Sequence, residues 1–186
     1  MKQQRREWPL VRLIVYLILY HFIWFTSIVT AANHHYWRGP IMAIVVSAGE
    51  YAWQHFIGKA QHLLLFIILL TVFGFIVDTG FASLNLINFN ANPFNAGLCP
   101  PWMIGMWINF AIILYAHLFN YFTRYLWFTI ASLLGFPIAY YIGVHMGAAT
   151  LPPGNISLVV VGITWGILFP LELYGYRRYF DKACYA

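Results

Sequence analysis

Apolar residues dominate six stretches of this chain: Leu10 to Ala31, Pro40 to Ile57, His62 to Val77, Trp102 to Phe122, Tyr125 to His145 and Ile156 to Tyr174. Each has the length of a helix and lies near the roughly 20 residues that a helix needs to cross a bilayer. The pattern therefore predicts six helices. Tryptophan and tyrosine gather at their ends, as in Trp8, Trp37, Trp102, Tyr121, Tyr125 and Tyr176, the level at which amphipathic rings meet lipid headgroups.

Composition turns these helices into membrane spans. Of the 186 residues, 62% are hydrophobic and only 8% charged, with a mean hydropathy of +0.71. A soluble domain carries about 25% charged residues, so a soluble fold is excluded. Six spans consume most of the chain and leave no room for a second folded unit. The expectation is an all-α membrane protein, a six-transmembrane-helix bundle forming a single polytopic domain over 1–186.

Charge sets the orientation, because loops rich in Lys and Arg stay cytoplasmic. With the amino terminus inside, Lys2, Arg5, Arg6, Arg12, Lys59, Arg124, Arg177, Arg178 and Lys182 fall on that side and Arg38 alone falls outside. Both termini are thus expected to be cytoplasmic. The small residues from Val29 to Ala32 resemble a signal cleavage site, but the long aromatic apolar run before them favours a retained anchor. The net charge of +5 flanks spans where anionic lipids sit, which points to membrane lipids as partners and away from nucleic acid. Cys99 and Cys184 fall on opposite sides in this topology and form no CxxC, so neither a disulfide between them nor a thiol metal motif is expected.

Small residues at a spacing of four let helices approach in lipid. Gly135, Ala139, Gly143 and Gly147 on the fifth stretch, and Gly162 and Gly166 on the sixth, predict tight packing of these two spans, so that Gly143→Leu would pry them apart. Pro137 and Pro170 fall inside the same spans. On the second stretch Ala43, Ser47, Glu50, Gln54, Gly58 and Gln61 share one face, and on the fourth Asn109, His117, Asn120 and Arg124 lie within about 80° of one another. Both faces are expected to look inward and meet. The connection from Asp78 to Pro101 carries five asparagines interleaved with Phe81, Leu84, Ile87 and Phe89, and is read as partly helical or extended in the outer interface.

Ionisable groups within hydrocarbon are costly and mark candidate sites. One group, Glu50, Gln54, His55, His117, Asn120 and Glu172, is expected in an inner polar cavity able to handle protons or bind headgroups, or else to act as interhelical hydrogen-bonding glue. Glu50 is expected to share one network with His117. An outer group, Asn33, His34, His35, Asp78 and His145, has ligand types suited to zinc or non-haem iron, although no HExxH or histidine box supports a metal. A haem held by His55 and His117 rests on one histidine per helix. No lysine falls within a span, which removes a retinal Schiff base, and no GxSxG elbow or phosphate-binding glycine loop occurs. No catalytic residue and no cofactor can be assigned from these residues, and whether the chain is an enzyme stays open.

Asp78 with its apolar loop, Pro101-Trp102, Met106-Trp107, Phe110-Ala111, Leu134-Gly135-Phe136-Pro137, Tyr140-Tyr141, Gly147-Ala148, Trp165 and Pro170 together resemble the bacterial domain-of-unknown-function 2878 family. The resemblance covers the chain from about Asn33 onward. It implies a small bacterial inner-membrane protein without assigned activity, from a family whose genes resemble neighbours of lipid-modifying genes such as fatty-acid cyclopropanation homologues, and it supplies no catalytic residue. The functional expectation is a lipid-binding or accessory component in envelope lipid metabolism or the response to lipid damage. The alternatives are a membrane-embedded enzyme with an outer-face His/Asp site and a proton-coupled carrier using Glu50 and Glu172.

Overall fold

The computed structural model describes the backbone of residues 9–118 and 125–183 and the side chains of 10–116 and 126–179. Six helices follow one another: α1 (Pro9–Ala32), α2 (Arg38–Phe56), α3 (Leu63–Ser83), α4 (Pro101–Ile113), α5 (Tyr125–His145) and α6 (Ile156–Ala183). A π-helical turn, Leu114–Leu118, continues α4. Four helices contain stretches long and apolar enough to cross a membrane: Leu10–Ala32, Leu63–Ser83, Leu126–His145 and Ile156–Tyr179. Such a chain is a multi-pass membrane protein.

Helix ends follow local chemistry. In α1, α2, α3 and α5 the last turn closes with a left-handed residue, at His34 (φ 57), Gly58 (φ 72), Asn85 (φ 54) and Gly147 (φ 84). At each, the next residue's N–H reaches back five positions, from His35 to Thr30, Lys59 to Gln54, Leu86 to Phe81 and Ala148 to Gly143. This paired closure satisfies carbonyls that the helix leaves unbonded. Gly58 and Gly147 take the conformation at no steric cost. α4 starts on Pro101, whose missing N–H costs nothing in a first turn.

The connection from Asp78 onward is partly helical and partly extended. α3 runs past Asp78 to Ser83, and Asn88–Phe89 (β1) then pairs antiparallel with Ala149–Thr150 (β2). Phe81, Ile87 and Phe89 turn into the bundle and are buried, while Leu84 is exposed. The segment is therefore part helix and part strand, as its sequence suggests, and forms a cap over one end of the bundle, the ribbon end. The rings expected at the span ends differ in exposure. Trp37 is exposed, but Trp102 is buried with its Nε1–H donating to Asn90 O at 2.9 Å, and Tyr176 is buried too.

α4 packs against α1, α2 and α3, and α5 packs along α6. Lipid removes the hydrophobic reward for bringing helices together, so close backbone approach has to do it. A methyl at Gly105 would lie 2.8 Å from Ala43 Cβ, and one at Gly162 would lie 2.8 Å from Leu133 O and 3.0 Å from Pro137 Cγ. The α5–α6 contact is thus tight as expected, but α5 presents Leu133 and Pro137 to the α6 glycines instead of its own small stripe. Gly143 faces a cavity, where an added methyl would meet only Ile28 Cδ1, at 3.9 Å. An aromatic joint ties α4, α5 and α6 together: Trp165 lies 4.6 Å from Phe136 and 4.9 Å from Trp107, centroid to centroid.

Candidate functional site

Among the described residues, two buried polar clusters and an apolar cleft stand out. The first cluster surrounds Asp78, which is fully buried in α3. Trp107 on α4 donates its Nε1–H to Asp78 Oδ2 at 2.7 Å, and Tyr140 on α5 donates its hydroxyl to Oδ1. Three helices are thereby pinned to one carboxylate. Cys99 sits against the same group, its Sγ 4.0 Å from Oδ2 and its backbone N–H donating to Thr79 Oγ1 at 3.1 Å.

Burial pushes the Cys99 thiol up, and the neighbouring Asp78 charge pushes it further in the same direction. A raised thiol stays protonated at neutral pH and is a poor nucleophile. Cys99 is therefore expected to resist a maleimide in the folded protein and to react once the protein is denatured, which peptide mass mapping checks; rapid modification of native Cys99 would contradict this burial.

The outer metal group does not assemble. Asn33, His34, His35 and His145 are exposed while Asp78 is enclosed by Trp107 and Tyr140. His34 is the left-handed residue that closes α1, and the Nδ1 of His145 is paired with Tyr141 O at 2.9 Å, one turn back. Among the described residues no three His, Cys, Asp or Glu side chains converge as a metal site. An expected common depth does not by itself bring side chains to one point.

The second cluster joins α1, α2 and α4. Ala43, Ser47, Glu50 and Gln54 form the buried face of α2, whereas Gly58 and Gln61 lie beyond the helix and are exposed. The Gly105–Ala43 contact places Asn109, one turn further along α4, opposite this face. Asn109 Nδ2 donates to Glu50 Oε2 at 2.5 Å and to Ser47 Oγ at 3.2 Å. Gln54 Nε2 donates to the Tyr16 hydroxyl on α1 at 2.9 Å. His55 points to the exposed side of α2. The side chain of His117, and Asn120 and Arg124 entirely, lie outside the described residues. Glu172 is half-buried in α6 beside Tyr176, and neither of its oxygens makes a hydrogen bond of normal geometry; no hydrogen bond joins it to Glu50 among the described residues.

Asn109 lies on the inward seam legible in the sequence, and only the structure makes it the partner of Glu50. The roles of Trp107 and Tyr140 as donors and of Tyr16 as acceptor also emerge only in the structure. A signal was present: an acid in an apolar helix has to meet N–H or O–H groups, and an indole or phenol buried at matching depth can supply one.

The cleft lies between α1, α4, α5 and the ribbon. Its accessible interior is about 80 Å³, and it is walled by Trp24 and Ile28 from α1, Met106 from α4, and Phe136, Ala139 and Gly143 from α5. Trp107 and Tyr140, the two donors to Asp78, also line it. Its surface is almost wholly apolar and aromatic, suited to a hydrocarbon ligand and ill suited to a polar metabolite.

No curated protein and no solved structure matches this chain. A family model described as a protein of unknown function, DUF2878, matches residues 13–171. That match covers α2 to α5 whole, α1 from its second turn and more than half of α6, and it takes in Asp78 with its donors, the Glu50 cluster and the whole cleft wall. The chain belongs to the DUF2878 family of proteins of unknown function.

Proposed function

We propose that this protein is a six-span protein of the bacterial inner membrane, with both termini cytoplasmic, that binds the apolar chain of a membrane lipid as a component of envelope lipid metabolism. The observation that carries the reading is the cleft, lined by aromatic and aliphatic side chains and left open because α5 turns a glycine toward α1. An acyl chain gains packing there from Trp24, Met106 and Phe136 without needing a polar partner. The Asp78 pin holds α3, α4 and α5 so that this wall keeps its shape.

The six-span reading is supported by the companions of α2 and α4. α2 has 19 residues, and α4 with its π turn covers 101–118; at about 1.5 Å per residue each is about 27 Å long, near the hydrocarbon thickness. The polar face of α2 is buried against α4, so it does not meet lipid. Orientation rests on the nine basic residues of one side. Because Cys99 is buried, Ala96→Cys at the exposed ribbon end is the reporter: it is expected to react with an impermeant maleimide on intact cells while Lys59→Cys does not.

Lipid binding is tested with a phospholipid carrying a diazirine on its acyl chain. Irradiation of the purified protein is expected to mark peptides of α1, α4 and α5 around Trp24, Met106 and Ala139. Gly143→Leu fills the cleft and is expected to cut that labelling about tenfold, a loss of roughly 1.4 kcal/mol, while melting like the parent. Labelling spread evenly over all lipid-facing helices, and unchanged in Gly143→Leu, would sink the proposal.

A further inference from the structure

Five side chains that line the cleft carry an N–H or O–H group: Tyr20, Trp24, Trp102, Trp107 and Tyr140. Three of these groups are engaged elsewhere. Trp102 donates to Asn90 O, and Trp107 and Tyr140 both donate to Asp78. The Tyr20 hydroxyl and the Trp24 indole N–H have no hydrogen-bond partner among the described residues. They stand one turn apart on the same face of α1. Hydrocarbon supplies no water to satisfy them, and an unpaired polar group in apolar surroundings is costly. Depth decides what could. α1 has 24 residues, about 36 Å at about 1.5 Å per residue. Tyr20 lies at its midpoint and Trp24 about 6 Å nearer the ribbon end. The ester carbonyls of a phospholipid sit at the edge of a hydrocarbon core about 30 Å thick, about 15 Å from its middle. An acceptor that reaches Tyr20 therefore has to be carried on the chain itself.

We propose that Tyr20 and Trp24 form a polar notch that selects an acyl chain bearing a hydroxyl or keto oxygen partway along its length. The inference rests on the reading of the cleft as a lipid-chain site and names its ligand more closely. An indole N–H only donates, whereas a phenol donates or accepts. A keto oxygen thus accepts from both groups, and a chain hydroxyl accepts from Trp24 while exchanging a hydrogen bond with Tyr20. The methylenes on either side of that oxygen pack on Met106 and Phe136 of the facing walls. A plain methylene chain fills the same space but leaves both donors unpaired, so the cleft discriminates by hydrogen bonding rather than by shape. The Tyr20 ring is held in place against Phe110 of α4, 5.8 Å between centroids, which keeps the notch on the α1 wall.

The test is competition against the diazirine phospholipid, on the full chain in detergent, by two phosphatidylcholines. One carries ricinoleoyl chains and the other oleoyl chains, which differ by a single mid-chain hydroxyl. The ricinoleoyl lipid is expected to halve the labelling of the α1, α4 and α5 peptides at about one tenth of the concentration that the oleoyl lipid needs. Tyr20→Phe and Trp24→Phe are each expected to shrink that ratio to about threefold, and the double variant to abolish it. Should a variant not fold, the ratio measured on the parent carries the test. Cleft labelling that both lipids displace equally keeps the lipid reading and overturns the notch. A preference that persists in the double variant also overturns it, because the selection then lies elsewhere. Absence of cleft labelling removes the lipid reading and the notch together.

Discussion

Gly74→Ala is expected to lower the Tm in detergent by roughly 10 °C, a loss of about 3 kcal/mol. The added methyl would lie 2.4 Å from Cδ2 and Cε2 of Trp107, well inside van der Waals contact. Backbone in the middle of α3 has little freedom to yield, so the indole has to move. Its position is over-determined: Nε1–H donates to Asp78, and the ring lies 5.8 Å from Phe136 and 4.9 Å from Trp165. Displacement costs overpacking strain of about 1–3 kcal/mol and strands a buried hydrogen-bond donor at about 1–3 kcal/mol more.

Thermal melts of parent and variant measure the loss, and near-ultraviolet circular dichroism reports whether the tryptophan environment has changed. An unaltered spectrum and melting temperature would mean that α3 and α4 stand further apart than described. Gly80 is the control in the same helix, because an added methyl there meets nothing within 4 Å; Gly80→Ala is expected to be neutral or slightly stabilising through helix propensity.

The contrast between these two glycines shows what the sequence conveys and what it withholds. Helix positions were legible because each depends on neighbours in the chain: the apolar runs predicted α1 from Leu10 and α5 over Tyr125 to His145, and α1 and α5 fall there to within a residue. α3 was cut short at Val77 because Asp78 looks like a terminus. It is instead an interior residue whose cost is met by Trp107 and Tyr140, 29 and 62 positions away. The buried face of α2 was legible from its own periodicity, yet its partner required knowing which α4 residue stands opposite, and that follows from the Gly105–Ala43 approach. The glycine stripe of α5 failed for a related reason. Small residues permit both contact and emptiness, and only the neighbouring helix decides which, so Gly162 packs and Gly143 opens a cleft.

Asp78→Ala is expected to be the more damaging change, at about 4 kcal/mol, because it removes both acceptor oxygens and leaves two buried donors. The Trp107 indole N–H and the Tyr140 hydroxyl then have no partner in a dry core, and each stranded donor costs about 1–3 kcal/mol. Asp78→Asn keeps the shape and one acceptor oxygen, so it is expected to lose about half as much. Tyr140→Phe removes one of the two donors together with its demand. If the Asp78–Tyr140 bond holds α3 to α5, the pair Asp78→Asn and Tyr140→Phe is expected to be non-additive, with a coupling of about 1–3 kcal/mol. Cys99 supplies a second readout that a purely local defect would not move. It is buried against Asp78 Oδ2, so loosening this end of the bundle should expose it and restore maleimide reactivity in Asp78→Ala before global melting. Additive losses, with Cys99 still protected in Asp78→Ala, would show that the carboxylate is a passenger in the core and that α3, α4 and α5 are held together by their aromatic packing alone.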